Sequence, residues 1–343
     1  MQFFLRVLIS CITLILIIFG LAYFGVFKIG NIFKPVSIVS KVLTEDGPKE
    51  TDGKTNFLLL GIDSRSPGGS VSSSLTDTII IISVDKSTGK AAMVSLPRDL
   101  WIEEYENKIN SVYALSGKNI DKTIKQIENV SGMPIHYYAI VGFDVFKDIV
   151  DSVGGIDINV ETAFEDFLYP IEGKENAMPE SSRYEHLVFK AGDQVMDGET
   201  ALKYARSRHS TNPLEAGDFA RARRQQRVIL AIKQKVLSSS TFLDPNKVNK
   251  MFDALKSNLQ TNIDTADVLI LYKALGNFKY ENMKRIVVSN ESGKEDENYI
   301  GAGVLTVPTE ENRKAFYKGL YVLVPASGSF SELHALIREA VFN

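Results

Sequence analysis

Beyond residue 55, short apolar runs bounded by turn residues alternate with stretches whose apolar positions recur every three to four residues. NFLLLGID (56–63), DTIIIISVD (77–85) and KAAMVSLP (90–97) have the length and composition of strands buried on both faces. KSTG (86–89) between the last two makes a tight turn, which predicts a hairpin. YYAIVGF (137–143) and IDINV (156–160) add strands around a helix, DVFKDIVDSVGG, that ends at glycine. RIVVSN (285–290), GVLTVP (303–308) and LYVLVP (320–325) are further strand candidates. Helices are expected near 110–129, 198–206, 218–237, 245–259, 264–277, 310–318 and 329–341. Strands interleaved with helices predict an α/β fold, a three-layer α/β/α arrangement around a central mixed sheet. Residues 161–192 read as a long surface excursion. SRSPGGSVSSSL (64–75) reads as a flexible loop after the first strand, where open α/β sheets commonly bind ligands.

The first segment follows another pattern. VLISCITLILIIFGLAYFGVF (7–27) carries no charge, and a spanning helix needs about 20 such residues against about 7–15 for a signal-peptide core. No small-residue cleavage pattern follows, so residues 1–28 are expected to form a cytoplasmic tip and one transmembrane anchor. Arg6 and the amino terminus oppose Lys28 and Lys34, which weakens the positive-inside signal. The expected orientation is N-terminus cytoplasmic, main domain extracytoplasmic. A cleaved export signal would leave the domain in the same compartment. Residues 29–55, including TEDGPKETDGKT, form a linker. Residues 56–343 form the extracytoplasmic domain, with 280–343 either integral to it or a small C-terminal extension.

Composition narrows the chemistry. The chain has 343 residues, 44% of them hydrophobic, enough for a large core. A formal net charge of −3 argues against nucleic acid as a partner, because that needs a basic face. Cys11 is the only cysteine and lies in the apolar segment, which removes disulfide frameworks and thiol chemistry.

Against this mildly acidic background, YARSRHSTNPLEAGDFARARRQQ (204–226) concentrates five arginines. DFARARRQQRVILAIKQKV is amphipathic, with Asp218 at the expected N-cap and Arg221, Arg224 and Gln225 on one face. Cations in the first turns oppose the helix dipole unless an anion neutralises both, and helix N-termini already suit phosphate. DGETALKYA predicts a short helix entered at Asp197, after which Arg206 and Arg208 point the same way if the segment is extended. Arg98 follows a strand end in SLPRD. Guanidinium forks bind phosphate bidentately, so Arg98, Arg206, Arg208, Arg221 and Arg224 together point to phosphate positioning. Arg223 and Arg227 are assigned to the surface. Asp63 and Asp77 stand at neighbouring strand ends, where carboxylates can hold Mg2+ beside substrate phosphate. His209 reads as a solvated loop residue, and no Ser-His-Asp pattern is visible.

NFLLLGIDSR, TDTIIIISVDKSTGKAAMVSLPRDLWIE, KINSVYALSG, YYAIVGFDVFKDIVDSVGGIDINV, DGETALKYARSRH and GDFARARRQQ occur in the order seen in the LytR-CpsA-Psr family, which the chain resembles over roughly residues 55–240. The resemblance implies an α/β/α enzyme at the membrane that takes a wall glycopolymer, of teichoic acid or capsular type, from its polyprenyl-diphosphate carrier. The polymer is then joined to peptidoglycan through a phosphodiester. By motif, Arg98, Arg206, Arg208, Arg221, Arg224 and Gln225 would bind the diphosphate, and Asp63 and Asp77 would support Mg2+. Asp218 would orient or deprotonate the acceptor hydroxyl, with Arg98 and Arg221 beside it in catalysis. Many members carry an arginine where this chain has Leu75, a departure that puts one of the family's phosphate contacts in question and leaves the remaining cluster intact. An apolar tunnel for the lipid is expected between the sheet and its helices, with Ile229 and Ile232 as lining. Two other functions fit the same residues: a polyprenyl-diphosphate phosphatase, and a non-catalytic envelope protein that binds lipid or anionic polymer.

Overall fold

The computed structural model describes residues 47–62, 74–85, 87–236, 259–264, 267–268, 270–271, 283–290 and 299–342. The expected anchor (7–27), the loop containing Asp63, and most of the helices expected at 245–259 and 264–277 lie outside the described residues. Among the described residues no helix is long and apolar enough to cross a membrane.

The three leading apolar runs form β1 (Lys54–Ile62), β2 (Thr76–Asp85) and β3 (Lys90–Ser95). β2 and β3 are the expected hairpin. Its turn is closed by Asp85, whose Oδ1 accepts from Ser87 N at 2.8 Å, Ser87 Oγ at 2.6 Å and Thr88 N at 3.1 Å. β4 (Tyr137–Gly142) runs parallel to β1 and carries a two-residue edge strand, Gln260–Thr261. Lys284–Ser289 lies parallel to β3, and Tyr299–Gly303 lies parallel to that in turn. The result is a seven-stranded mixed sheet with the β1–β2–β3 meander at its centre.

Both faces of this sheet are apolar because neighbours alternate sides. Leu58, Leu60, Ile79, Ile81, Ala92 and Val94 enter one core with Ile127 and Val130 of α1 (Ile120–Ser131). Leu333 and Ile337 of the C-terminal helix Ser331–Phe342 join the same core. Ile80, Met93 and Val84 enter the opposite core with Leu59 and Ile229. The described part of the C-terminal region thus shares the main core, through Ile286, Val288, Leu305 and Leu323.

A third core lies beyond the sheet. α2 (Phe143–Ser152) packs on α3 (Gly198–Arg206), together with β5 (Ile156–Val160). Residues 161–192 lie largely at the surface, as expected, but are not merely an excursion. They form a hairpin of β6 (Phe164–Pro170) and β7 (Tyr184–Phe189), whose inward Phe164, Tyr169, Leu187 and Phe189 fill this core. Gly192–Met196 then pairs with β5.

Two other expectations change. The helix expected over 110–129 is split into Val112–Leu115 and α1, because Gly117 and Lys118 adopt φ of 70° and 64° and Asn119 caps a new helix. The strands expected at 303–308 and 320–325 shrink to Leu305–Thr306 and Val324–Pro325, which pair with each other off the sheet.

Candidate functional site

The start of β2 and the exit from β3 meet at one end of the sheet because the two strands are antiparallel. Asp77 stands on the first and Arg98 three residues past the second. The helix α4 (Gly217–Val236) brings its N-terminus to the same place. Its buried Gln226 fixes the position, donating to Ser95 Oγ at 2.8 Å and to the Ile286 carbonyl at 3.1 Å. The helix starts one residue earlier than expected, so Asp218 sits in its first turn and turns its carboxylate to side chains.

Three guanidinium groups converge on that carboxylate. Arg98 Nε donates to Asp218 Oδ2 at 3.0 Å, Arg221 Nη1 lies 3.3 Å from Oδ1, and Arg208 Nε lies 3.6 Å from Oδ1. Arg98 Nη1 also donates to Asp77 Oδ1 at 3.1 Å, and Arg221 Nη2 to the Asp77 carbonyl at 3.3 Å. Asp99, 3.7 Å from Arg98, is taken up by Lys108 at 2.6 Å. Asp77, Arg98, Asp218 and Arg221 border a shallow cleft open to solvent, with Gln225 at its wall and Leu96, Ala222 and Val287 contributing apolar surface.

The electrostatics are one-sided. Burial pushes the Arg221 guanidinium down; Asp218 and Asp77 offset this only in part, Arg98 and Arg208 repel it, and the net pKa is about 10. Its Nε is buried without a hydrogen-bond partner. Burial would raise the Asp218 carboxyl, but Arg221, Arg98 and Arg208 outweigh it and hold the group below the usual range. Burial disfavours the Arg98 charge, and Asp218, Asp77 and Asp99 more than compensate. Among the described residues, Arg98, Arg208, Arg221 and Lys108 face Asp77, Asp99 and Asp218, and an anion entering the cleft would relieve the repulsion that Arg98 and Arg208 exert on Arg221.

A model of the LytR_cpsA_psr family matches residues 33–318. The chain belongs to the LytR-CpsA-Psr family. Polyisoprenyl-teichoic acid–peptidoglycan teichoic acid transferase TagV of Bacillus subtilis (strain 168) is 30% identical over 240 residues, 68% of this chain and 56% of TagV. Regulatory protein MsrR of Staphylococcus aureus (strain COL) is 30% identical over 263 residues, 75% of this chain and 71% of MsrR. The match thus spans little more than half of TagV's length. The crystal structure of B. subtilis TagV superposes with a TM-score of 0.58 at 24% identity, covering 85% of this chain and 98% of that one. TagT bound to LI-WTA gives 0.56 at 20% identity, covering 86% and 94%. At these identities the likeness is one of fold.

Of the family-motif residues, Asp77, Arg98, Arg208, Asp218, Arg221 and Gln225 come together. Asp63 lies outside the described residues. Arg224 does not reach the cleft. It is fully buried, donating to the carbonyls of Tyr204 and Glu215 at 2.9 Å each, to Ser207 O, and to Glu215 Oε2 at 2.6 Å. The reason is helical: residue 224 is rotated about 60° to one side of 221, whereas 225 is rotated about 40° to the other. Arg206 lays its guanidinium over Phe143, 4.1 Å from the ring centroid, and donates to Tyr169 Oη at 2.9 Å.

Arg227, expected on the surface, is largely buried and pairs with Glu161 and Glu215. Ile229 and Ile232 face different cores, so they do not line one common channel. Asn110 was not singled out as a site residue, although it sits in the KINSVYALSG motif. Its Nδ2 donates to Asp77 Oδ1 at 3.1 Å and orients that carboxylate.

Proposed function

We propose that this chain moves a glycopolymer from a polyprenyl-diphosphate carrier to a hydroxyl of peptidoglycan, at the outer face of the membrane. The observation that carries this reading is the convergence of Arg98, Arg208 and Arg221 on Asp218 in an open cleft. The names of TagV of Bacillus subtilis and TagU of Bacillus licheniformis, both teichoic acid transferases, agree with it. The anchor expected at residues 7–27 would keep the active cleft within reach of a donor that stays in the bilayer.

The chemistry asks for positioning and charge neutralisation more than for covalent participation. The guanidinium groups would grip the two phosphoryl groups, which stand where Asp218 now draws them. As they turn to phosphate, Asp218 loses the cations that depress its pKa and becomes basic enough to take the acceptor hydroxyl's proton. The hydroxyl oxygen bonds to the sugar-bearing phosphorus, the bridging P–O bond breaks, and polyprenyl phosphate leaves. Arg98 and Arg221 would stabilise the charge that develops on the leaving oxygen. Asp77 would hold Mg2+ with Asp63, because Arg98 and Asn110 meet only its Oδ1 and the side chain stays 39% exposed. Bound there, Mg2+ would supply further charge neutralisation on the phosphates.

The test is a transfer assay with the full-length protein in detergent, given lipid-linked oligosaccharide with and without peptidoglycan. Sugar phosphate attached to glycan strands is the expected product; free sugar phosphate under both conditions would sink transfer in favour of hydrolysis. EDTA should abolish turnover and added Mg2+ restore it, with Asp77→Asn needing several-fold more Mg2+. Turnover indifferent to EDTA would remove the metal from the reading.

A further inference from the structure

Two buried charged groups outside the cleft hold the segment that carries Arg208. Asp166 of β6 is fully buried, and its Oδ2 accepts from Ser207 Oγ at 2.6 Å and from the backbone N–H groups of Arg208 and His209 at 3.0 and 3.1 Å. Its Oδ1 accepts from Leu168 N at 2.9 Å. All four donors are neutral, so the carboxylate fixes direction here and does not neutralise charge. Burying it would be costly without that saturation. From the other side Arg224 grips the carbonyls of Tyr204, Ser207 and Glu215. The Arg208 carbonyl in turn accepts from Gly217 N at 2.8 Å, one residue before Asp218.

Both polar backbone groups of Arg208 are therefore tied, one to β6 and one to the start of α4. We infer that Asp166 and Arg224 are positioning residues of the cleft: they set where the Arg208 guanidinium stands relative to Asp218 and Arg221, and through it the affinity for a diphosphate. The consequence rests on the phosphate-binding reading above; the geometry does not. The β6–β7 hairpin becomes, on this account, a part of the site that never touches substrate. Burial would raise the Asp166 carboxyl, but the hydrogen bonds from Ser207, Leu168, His209 and Arg208 hold it below the usual range, which agrees with a permanently ionised clamp.

A double-mutant cycle on the full-length protein in detergent micelles tests this, with inorganic pyrophosphate as the probe and titration calorimetry as the measurement. Asp166→Asn should weaken pyrophosphate binding about tenfold, since one acceptor oxygen is replaced by a donor facing backbone N–H groups. Arg208→Ala should weaken it comparably, and the double variant should bind within about twofold of Arg208→Ala alone. Additive losses, or an unchanged affinity in Asp166→Asn, would overturn the inference. Ser207→Ala removes one donor only and should give about a threefold loss, which covers the case in which Asp166→Asn does not fold. Amide hydrogen exchange without added anion separates the two readings. If the wild type binds no pyrophosphate, the phosphate reading fails. The clamp is then judged by whether Arg208 and His209 exchange faster in Asp166→Asn or Ser207→Ala; unchanged exchange in both overturns it.

Discussion

Arg221 shows how far a residue's role departs from its type. The sequence places it on the phosphate-binding face of an amphipathic helix; the structure buries it there, 8% exposed, beside two other guanidinium groups. Its pKa of about 10 lies below the ordinary arginine value, so the folded state disfavours its charge. That cost is present at neutral pH and fades only as pH rises through the folded and then the unfolded pKa. Arg221→Met should therefore lower transfer by about 100-fold or more while leaving the melting temperature unchanged or higher, because Arg98 and Arg208 still neutralise Asp218. Transfer assays beside calorimetry check this, and a melting temperature several degrees lower would reject it. The same scale explains Arg224. Its neighbours in sequence are arginines and glutamines, and nothing local says that it turns into the protein while Gln225 turns to the cleft.

Elements position these residues by close approach. α3, whose C-terminal end leads to Arg206 and Arg208, starts at Gly198, where a Cβ would lie 2.5 Å from the Lys147 carbonyl of α2. Gly198→Ala must push the two helices apart, at a cost of about 1–3 kcal/mol. Chemical denaturation measures it; an unaltered midpoint would mean that the contact relaxes freely. Helix 198–206 was legible from Asp197 and the apolar spacing, and Asp197 does cap it by accepting from Thr200 N at 2.8 Å. The β6–β7 hairpin was not. Exposed Phe167, Leu168 and Val188 interrupt the alternation of buried and polar positions, and the thirteen residues between the strands give no tight-turn signal.

At the scale of the whole molecule, three carboxylates and one imidazole among the described residues shape the response to acid. Burial would raise the carboxyls of Asp85, Asp166 and Asp218, but hydrogen bonds and, for Asp218, three guanidinium groups leave all three lowered. Their contribution is complete above the ordinary aspartate pKa of about 3.9 and is lost as pH falls towards the lower folded values. Burial also lowers His136, whose Nδ1 accepts from Asn56 N at 3.0 Å and so favours the neutral ring. Its contribution is lost as pH falls below about 6.5. Melting temperature should thus decline in two steps, one below pH 6.5 and a larger one below pH 4. His136→Gln should remove the first; a single step in both proteins would refute the assignment.

The order of strands and helices, the central hairpin and the motif arginines follow from the sequence alone, because apolar periodicity and turn residues act between near neighbours. Which arginines share a cleft does not. Asp77, Arg98, Arg208 and Arg221 are separated by up to 144 residues, and they meet only because antiparallel strands and one helix end at the same edge of a packed sheet. Whether a guanidinium then faces solvent, a carbonyl cage or an anion depends on about 60° of helix rotation and on what lies opposite, and burial fixes both only in the assembled fold.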